Sequence, residues 1–174
     1  MPVSKFETFH DGIAPELRRR DEFMALTNLD DDRMWIPYVD GVWFQACSFS
    51  VSEGGFANIL KVMPGSRLNP HYHVSTVHGL TLKGSWRYLE HDWVATEGSY
   101  IFEPAGEAHT LVVPADAPEP MITFFVLHGG LIYLDSIESG KCVGYDDGFT
   151  LLELARKHYR EVGLDVALLD AMVR

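Results

Sequence analysis

Short apolar segments alternate with glycine-containing turns through the middle of the chain. Turn signals such as Asp40-Gly41, Pro64-Gly65 and Lys83-Gly84 recur at short intervals. The segments between them are rich in aromatic and β-branched residues and lie at 42–51, 56–63, 86–89, 99–102 and 121–127. Many short strands at this spacing, without helical segments among them, are typical of a sandwich or barrel. The pattern therefore predicts an all-β middle region.

The C-terminal end carries a helical pattern instead. Residues 150–162 contain an apolar stripe at helical spacing, formed by Leu151, Leu152, Leu154, Ala155, Tyr159 and Val162. Gly163 follows where a helix would end, and Asp165 is positioned to cap a second short helix that reaches Met172. We expect both helices to pack against the β-region.

The chain has the length of a single domain. Its 174 residues are too few for two enzyme domains with separate cores. The first 35 residues are polar and weakly patterned, so we expect an arm that covers the barrel or a neighbouring subunit. We therefore predict an N-terminal arm at 1–35, a β-barrel at 36–146 and a helical segment at 147–174 that packs on the same domain.

Composition and charge exclude several classes of function. Hydrophobic residues make up 47% of the chain, which is enough for a core and argues against disorder. The net charge is −11, so nucleic acids and anionic membranes are not expected partners. Because no apolar run could cross a bilayer and residues 1–11 lack a signal-peptide pattern, we expect a soluble cytoplasmic protein. Cys47 and Cys142 are too few for a disulfide framework, and we expect both to be buried.

Three histidines have the spacing of a metal site. His71 and His73 are two residues apart, so in an extended strand both imidazoles point to the same face. His109 follows a tight turn at 104–106 that can return the next strand alongside the first. Imidazole suits zinc, copper, iron and nickel, and three neutral imidazoles leave coordination positions open for a substrate and oxygen.

These histidines lie within two longer motifs. Residues 65–84 read GSRLNPHYHVSTVHGLTLKG, and residues 98–113 read GSYIFEPAGEAHTLVV. The two stretches, in this order, resemble the paired motifs of the cupin superfamily. The resemblance implies an all-β fold, the cupin double-stranded β-helix or jelly-roll barrel, which holds one metal ion and here ends in a short C-terminal helical tail.

One departure from the cupin pattern bears on the metal. The glutamate usual in the first motif is replaced by His78. The resemblance then implies a three-histidine site of His71, His73 and His109, as in the carbon–carbon-cleaving dioxygenases of the superfamily. Among these, the chain is most similar to the 2,4'-dihydroxyacetophenone dioxygenases.

That similarity implies a specific chemistry. The expected metal is non-haem iron(II), Fe(2+), and the expected partners are O2 and a small-molecule substrate. The substrate would be an aryl hydroxyketone such as 2,4'-dihydroxyacetophenone, cleaved next to its carbonyl group to 4-hydroxybenzoate and formate. The resemblance further implies a homo-oligomer such as a tetramer.

Two further residues are candidate catalytic groups. Three roles fit His78: a fourth metal ligand, a hydrogen-bond partner of a metal-binding histidine, or a core residue. We favour the last two over metal ligation. Glu103 lies six residues before His109 and points into the barrel if the strand alternates regularly. There it would orient a ligand histidine or accept a substrate proton, although an exposed surface position fits the sequence equally well.

Other functions remain open at this point. A metal-dependent cupin isomerase, lyase or hydrolase would use zinc, nickel or manganese as a Lewis acid without oxygen. A non-catalytic metallo-cupin would bind a small ligand, as in some anti-sigma regulators. Oxygen uptake in the presence of hydroxyketones separates the dioxygenase from both alternatives.

Overall fold

The structure, a computed structural model, describes residues 22–174. Most of the predicted N-terminal arm, residues 1–21, therefore lies outside the described residues. A short 3-10 helix at Asp32–Met34 leads into the strands. These are β1 Ile36–Val39, β2 Val42–Phe49, β3 Phe56–Val62, β4 Arg67–His73, β5 Val77–Lys83, β6 Ser85–Tyr88, β7 Ala95–Thr96, β8 Tyr100–Glu103, β9 Ala108–Val112, β10 Met121–Leu127, β11 Leu131–Leu134 and β12 Cys142–Asp146, followed by helices α1 Gly148–Val162 and α2 Ala167–Asp170.

The strands form two antiparallel sheets of six strands each within this part of the chain. The first sheet has the order β1-β2-β3-β10-β5-β8, and the second has the order β12-β11-β4-β9-β6-β7. From β3 to β11 most connections cross from one sheet to the other, which is the winding of a jelly roll. The predicted all-β barrel is confirmed, and β2, β3, β6, β8 and β10 coincide with the apolar segments of the sequence.

The core lies between the inner faces of the two sheets. Along β10, Met121, Phe125 and Leu127 alternate inward and belong to the main apolar cluster. Trp86 on β6 is fully buried, and its Nε1 donates a hydrogen bond to Thr81 Oγ1 at 2.9 Å. Burial of each large apolar side chain stabilises the barrel by about 1.5–3 kcal/mol.

One glycine makes room for an aromatic ring inside the barrel. Gly79 on β5 is the register partner of Phe125 on β10. A Cβ at Gly79 would lie 2.7 Å from Phe125 Cε1, which is closer than van der Waals contact allows. The absence of a side chain therefore lets the Phe125 ring lean across β5.

Helix α1 packs against β1, β2 and β12 at one edge of the barrel, as the apolar stripe predicts. Asp147 caps its N-terminus by accepting hydrogen bonds from the backbone N–H groups of Phe149 and Thr150 at 2.9 Å each. Leu151 faces the barrel, and the helix ends at Gly163, whose positive φ of 74° suits glycine.

The second helix is shorter than the sequence predicts. It begins at Ala167 and ends at Asp170 rather than at Met172. Asp165 Oδ1 does accept a hydrogen bond from the Ala167 N–H, so the predicted capping contact forms just ahead of the helix. No helix in residues 22–174 is long and apolar enough to cross a membrane.

The expectation that both cysteines are buried is wrong. Cys142 is exposed, because it begins the edge strand β12, and Cys47 is only partly buried. Burial raises the pKa of the Cys47 thiol to about 11. At neutral pH this thiol is therefore protonated and a poor nucleophile.

Candidate metal centre

Three histidines converge on the inner face of the second sheet. His71 and His73 extend from β4, and His109 extends from the neighbouring strand β9, where it is the register partner of His71. His71 is only 2% exposed, and the other two are also buried. Their ring centroids lie 4.9 to 5.4 Å apart, and one ligand atom from each lies within 4.8 Å of the others. The cluster can hold a metal ion.

A local irregularity in β4 orients the first histidine. The pairing of β4 with β9 shifts between Leu68 and His71, and Pro70 in this interval has no N–H to donate to the ladder. His71 Nδ1 lies 2.7 Å from the backbone oxygen of Asn69. Because a carbonyl oxygen only accepts, Nδ1 carries the proton and Nε2 is left with the lone pair that a metal requires.

Glu103 reaches the cluster from the first sheet. It is only 3% exposed, so the alternative of an exposed surface position is wrong. Its Oε2 lies 3.1 Å from His73 Nε2 and 3.5 Å from His109 Nε2. Oε1 accepts a hydrogen bond from the Tyr88 hydroxyl at 2.5 Å. One carboxylate oxygen is thus fixed while the other faces the histidines.

Tyr88 links the carboxylate to a ligand histidine. Its ring stacks on the His109 imidazole with centroids 3.7 Å apart and planes 9° from parallel. Burial, followed by the charge of Glu103, raises the pKa of Tyr88 well above its usual value of 10. The phenol therefore stays protonated and remains a donor to Glu103. The sequence did not indicate this role of Tyr88, since nothing local predicts a contact with residues so distant along the chain.

Electrostatics favour the neutral imidazole in two of these residues, His71 and His109. Burial is the main cause that lowers the pKa of His71 to about 3 and that of His109 to about 2, and the neighbouring histidines lower both further. Among the described residues, His109 Nε2, His73 Nδ1 and Glu103 Oε2 are buried without a hydrogen-bond partner. The neutral His71 and His109 imidazoles, and the unpartnered His109 Nε2 and Glu103 Oε2 that lie 3.5 Å apart, fit a divalent metal ion.

The metal-free protein is expected to lose stability as the pH falls below about 6.5. Unfolded histidines bind protons below that pH, whereas folded His71 and His109 resist protonation until about pH 3 and 2. Each therefore lowers the free energy of unfolding by about 1.4 kcal/mol per pH unit across this window. Urea unfolding at about pH 7 and about pH 5 measures the difference. His109→Gln should show a shallower dependence, and equal midpoints for the metal-free protein at both pH values would contradict the expectation.

A small cavity adjoins His71, His73 and Glu103 inside the barrel. Its volume is about 40 Å³, which is room for a metal ion and one or two water-sized ligands. Most of its wall is apolar and includes Phe44, Phe56, Leu60, Leu111, Phe125, Leu127, Leu131 and Leu151. Asn58, Tyr38 and Tyr88 add polar groups to it. A ligand with an aromatic ring must displace some of these side chains on entry.

His78 lies away from this cluster. Along β5, Val77 and Gly79 face inward, and His78 between them faces the outside of the first sheet. Its Nδ1 lies 2.6 Å from the Tyr100 hydroxyl, and its ring is 5.5 Å from Phe102 and 5.7 Å from His128. The contact of His78 with a ligand histidine, one of its two favoured roles, is not found among the described residues, and neither is the less favoured contact with the metal position. The cause is the phase of the strand, which assigns alternate residues to opposite faces.

A tyrosine on the strand beside His71 is a further polar neighbour of the cluster that the sequence did not indicate. Tyr133 on β11 is the register partner of His71, and the two rings are 6.0 Å apart. Its hydroxyl is hydrogen-bonded to that of Tyr38, which donates to Asp146 Oδ2 at 2.5 Å. Burial raises the pKa of both tyrosines, so both are protonated at neutral pH. This network ties β1, β11 and β12 together beside the cluster.

Comparison with protein families identifies the domain type. Residues 24–132 match a family model described as the ChrR cupin-like domain. This match spans more than half of the chain and contains all three clustered histidines as well as Glu103. No curated protein sequence matches the chain.

Solved structures share the fold. An RmlC-like cupin protein from Ralstonia eutropha JMP134 is 31% identical, with a TM-score of 0.69, over 75% of this chain and 84% of that one. A protein of unknown function with a cupin-like fold from the same organism is 22% identical, with a TM-score of 0.69, over 78% and 90% of the two chains. The acetylacetone dioxygenase of Acinetobacter johnsonii is 17% identical, with a TM-score of 0.66, over 80% and 97%.

Proposed function

The chain belongs to the ChrR cupin-like domain family, and from this premise we propose that it is a non-haem iron(II) dioxygenase that cleaves a carbon–carbon bond next to a carbonyl group. The proposed substrate is an aryl hydroxyketone such as 2,4'-dihydroxyacetophenone, and the products are 4-hydroxybenzoate and formate. The observation that carries the proposal is the cluster of three buried imidazoles beside a buried carboxylate. An acetylacetone dioxygenase, which shares the fold, supports oxygen chemistry on a ketone.

The charge of the donor set favours a chelating, anionic substrate. Three neutral imidazoles bring no negative charge to a divalent metal ion, and the Glu103 carboxylate beside them offsets only one of its two charges. A hydroxyketone that loses a proton supplies both the negative charge and two oxygen ligands. Bound iron(II) supplies Lewis acidity toward these oxygens and the electron that activates dioxygen.

Glu103 is the group proposed to accept the substrate proton. Tyr88 donates a hydrogen bond to Oε1, so Oε2 faces the Nε2 atoms of His73 and His109. A substrate bound to a metal ion at the histidines would lie beside this oxygen. This oxygen has no hydrogen-bond partner and can accept a proton from a hydroxyl group there. The apolar wall excludes bulk water, which strengthens the interaction between the carboxylate and the substrate.

The Glu103→Gln variant tests this role. The amide keeps the shape of the side chain and the Tyr88 contact, but it cannot accept a proton. We expect kcat to fall by about 10²–10⁴-fold, while the iron content of the protein is unchanged. Steady-state oxygen uptake and metal analysis measure the two quantities. Loss of iron in this variant would instead assign Glu103 to holding the metal.

A matched control lies four residues further along the chain. Glu107 is partly exposed and pairs with His91, at 2.8 Å, outside the cluster. Glu107→Gln makes the same chemical change without touching the histidine site. We expect its kcat to stay close to that of the unmodified protein.

One observation favours a second candidate, a metal-dependent isomerase or lyase. A carboxylate base within 3.1 Å of a histidine cluster also suits proton transfer on an enolisable substrate without oxygen. The small cavity favours a compact substrate for such a reaction. Substrate consumption under nitrogen would support this candidate, and binding without any turnover would support a non-catalytic metallo-cupin.

We further propose that the protein is a homo-oligomer. The outer face of the first sheet carries the exposed apolar side chains Leu80, Leu82, Tyr100 and Phe102 on the neighbouring strands β5 and β8. Contiguous exposed apolar surface of this kind commonly marks a protein interface. Light scattering coupled to size-exclusion chromatography measures the mass, and a monomer at micromolar concentration would contradict the proposal.

A further inference from the structure

Away from the histidines and Glu103, the cavity wall carries a further polar side chain without a hydrogen-bond partner. Asn58 extends from β3 into the barrel and is 6% exposed, and its Oδ1 has no hydrogen-bond partner among residues 22–174. Phe56 and Leu60 flank it on the same face of the strand, and Phe125 is its register partner on β10. A buried amide without a hydrogen bond is destabilising. An unfilled acceptor on a cavity wall therefore indicates a ligand that donates a hydrogen.

The position of Asn58 indicates how long that ligand is. The carboxylate of Glu103, which lies beside the histidines, extends from β8 at one edge of the first sheet. Strands β10 and β5 separate β8 from β3, so the two backbones are three intervals of about 4.8 Å apart along the sheet. Both side chains point into the barrel, and the curvature of the sheet brings their ends closer together than their backbones. The distance between the two side-chain ends therefore suits a small aromatic molecule with a polar group at each end.

An apolar surface lies between the two ends. The Phe125 ring leans across Gly79, which places it between β3 and β8 on the cavity wall. An aromatic face of this kind is a favourable packing surface for a second ring. The cavity of about 40 Å³ admits a ring only when side chains of its wall move, and it then offers chelation at one end, ring packing in the middle and a hydrogen-bond acceptor at the other.

We propose that Asn58 determines specificity by accepting a hydrogen bond from a hydroxyl group at the end of the ligand remote from the chelating oxygens. The inference rests on the proposed function for the chelating end. It adds recognition of a second group on the ligand, a ring hydroxyl, which the histidines and Glu103 do not contact. Ligands without that hydroxyl leave Asn58 unpartnered and bind more weakly.

Calorimetric titration of the zinc-loaded protein tests this role without turnover. Two matched pairs serve as probes: 2,4'-dihydroxyacetophenone with 2-hydroxyacetophenone, and 4-hydroxybenzoate with benzoate. Within each pair only the ring hydroxyl differs. We expect the hydroxylated member to bind about tenfold more tightly. Asn58→Leu, which has nearly the same size, should reduce this ratio to about one in both pairs.

Thermal unfolding separates recognition from a structural role. Because Asn58→Leu removes an unpartnered buried oxygen, the melting temperature should not fall. Thr123→Val is the matched control, since Thr123 Oγ1 is also buried and unpartnered but does not line the cavity. We expect this variant to keep the hydroxyl preference.

The outcomes distinguish this inference from the proposed function. If neither ketone binds, the proposed substrate is wrong, and the carboxylate pair still measures the contribution of Asn58. No hydroxyl preference in either pair with the unmodified protein would overturn the inference. A lower melting temperature in Asn58→Leu, with equal weakening of both members of a pair, would overturn it as well, because Asn58 would then be structural.

Discussion

Replacing His71, His73 or His109 with alanine, one at a time, is expected to abolish stoichiometric metal binding. Each change removes one of three buried nitrogen donors, and no other His, Cys, Asp or Glu cluster able to hold a metal is found in residues 22–174. Two remaining imidazoles fall short of the three protein ligands typical of catalytic sites of this kind. Metal analysis after anaerobic iron loading measures the loss, and far-ultraviolet circular dichroism checks that the β-barrel is retained.

His78→Ala provides the matched control for these variants. It removes a histidine from the same motif, but from the outer face of the first sheet. We expect this variant to bind iron in the same amount as the unmodified protein. Stoichiometric metal in two of the three alanine variants would refute the three-histidine assignment, and loss of metal in His78→Ala would show that His78 has a role at the centre.

The second large effect expected is an absolute dependence of turnover on iron and oxygen. With iron(II), the protein should consume one O2 for each 2,4'-dihydroxyacetophenone and release one formate and one 4-hydroxybenzoate. The ketone and O2 together contain all the atoms of the two acids. Because the cleaved bond gains one oxygen atom on each side, heavy dioxygen should label both products. Mass spectrometry of the products and an oxygen electrode provide the measurements.

Zinc provides the control for the redox step. Zinc keeps the Lewis acidity and suits the three-histidine donor set, but it has no redox activity. The zinc-loaded protein should therefore bind the ketone and not consume oxygen. Label in only one product would indicate a monooxygenase. Full activity of the zinc form under nitrogen would overturn the dioxygenase proposal and favour the isomerase or lyase.

Local patterns were sufficient for much of the fold and for the histidine cluster. Strand positions followed from apolar segments bounded by turns, because each segment needs only its own neighbours to be recognised. Helix α1 was predictable for the same reason from the apolar stripe at 150–162 and from Gly163, whereas its Asp147 cap was not identified. His71 and His73 share a face by strand geometry alone, and the paired motifs located His109.

Contacts between distant strands were not predictable in this way. The Tyr88–Glu103 hydrogen bond joins the two sheets, and Asn58 meets the cavity only because the barrel closes around it. His78 shows a different difficulty. Its neighbourhood matches a motif, but the face it occupies depends on the phase of β5, and a shift by one residue would invert it. Sequence pattern alone does not fix that phase when the flanking residues suit either face.

The aromatic residues around His109 also make the tryptophan fluorescence of the protein sensitive to metal binding. Tyr88, stacked on His109, contacts Trp86 and Trp93 at centroid distances of 5.1 and 5.4 Å. Trp86 is fully buried and Trp93 is 38% exposed, so the two indoles emit from different surroundings. A paramagnetic ion at the histidines would quench both, whereas diamagnetic zinc would not. Tryptophan fluorescence can therefore follow iron loading in real time, without a label and without any assumption about the substrate.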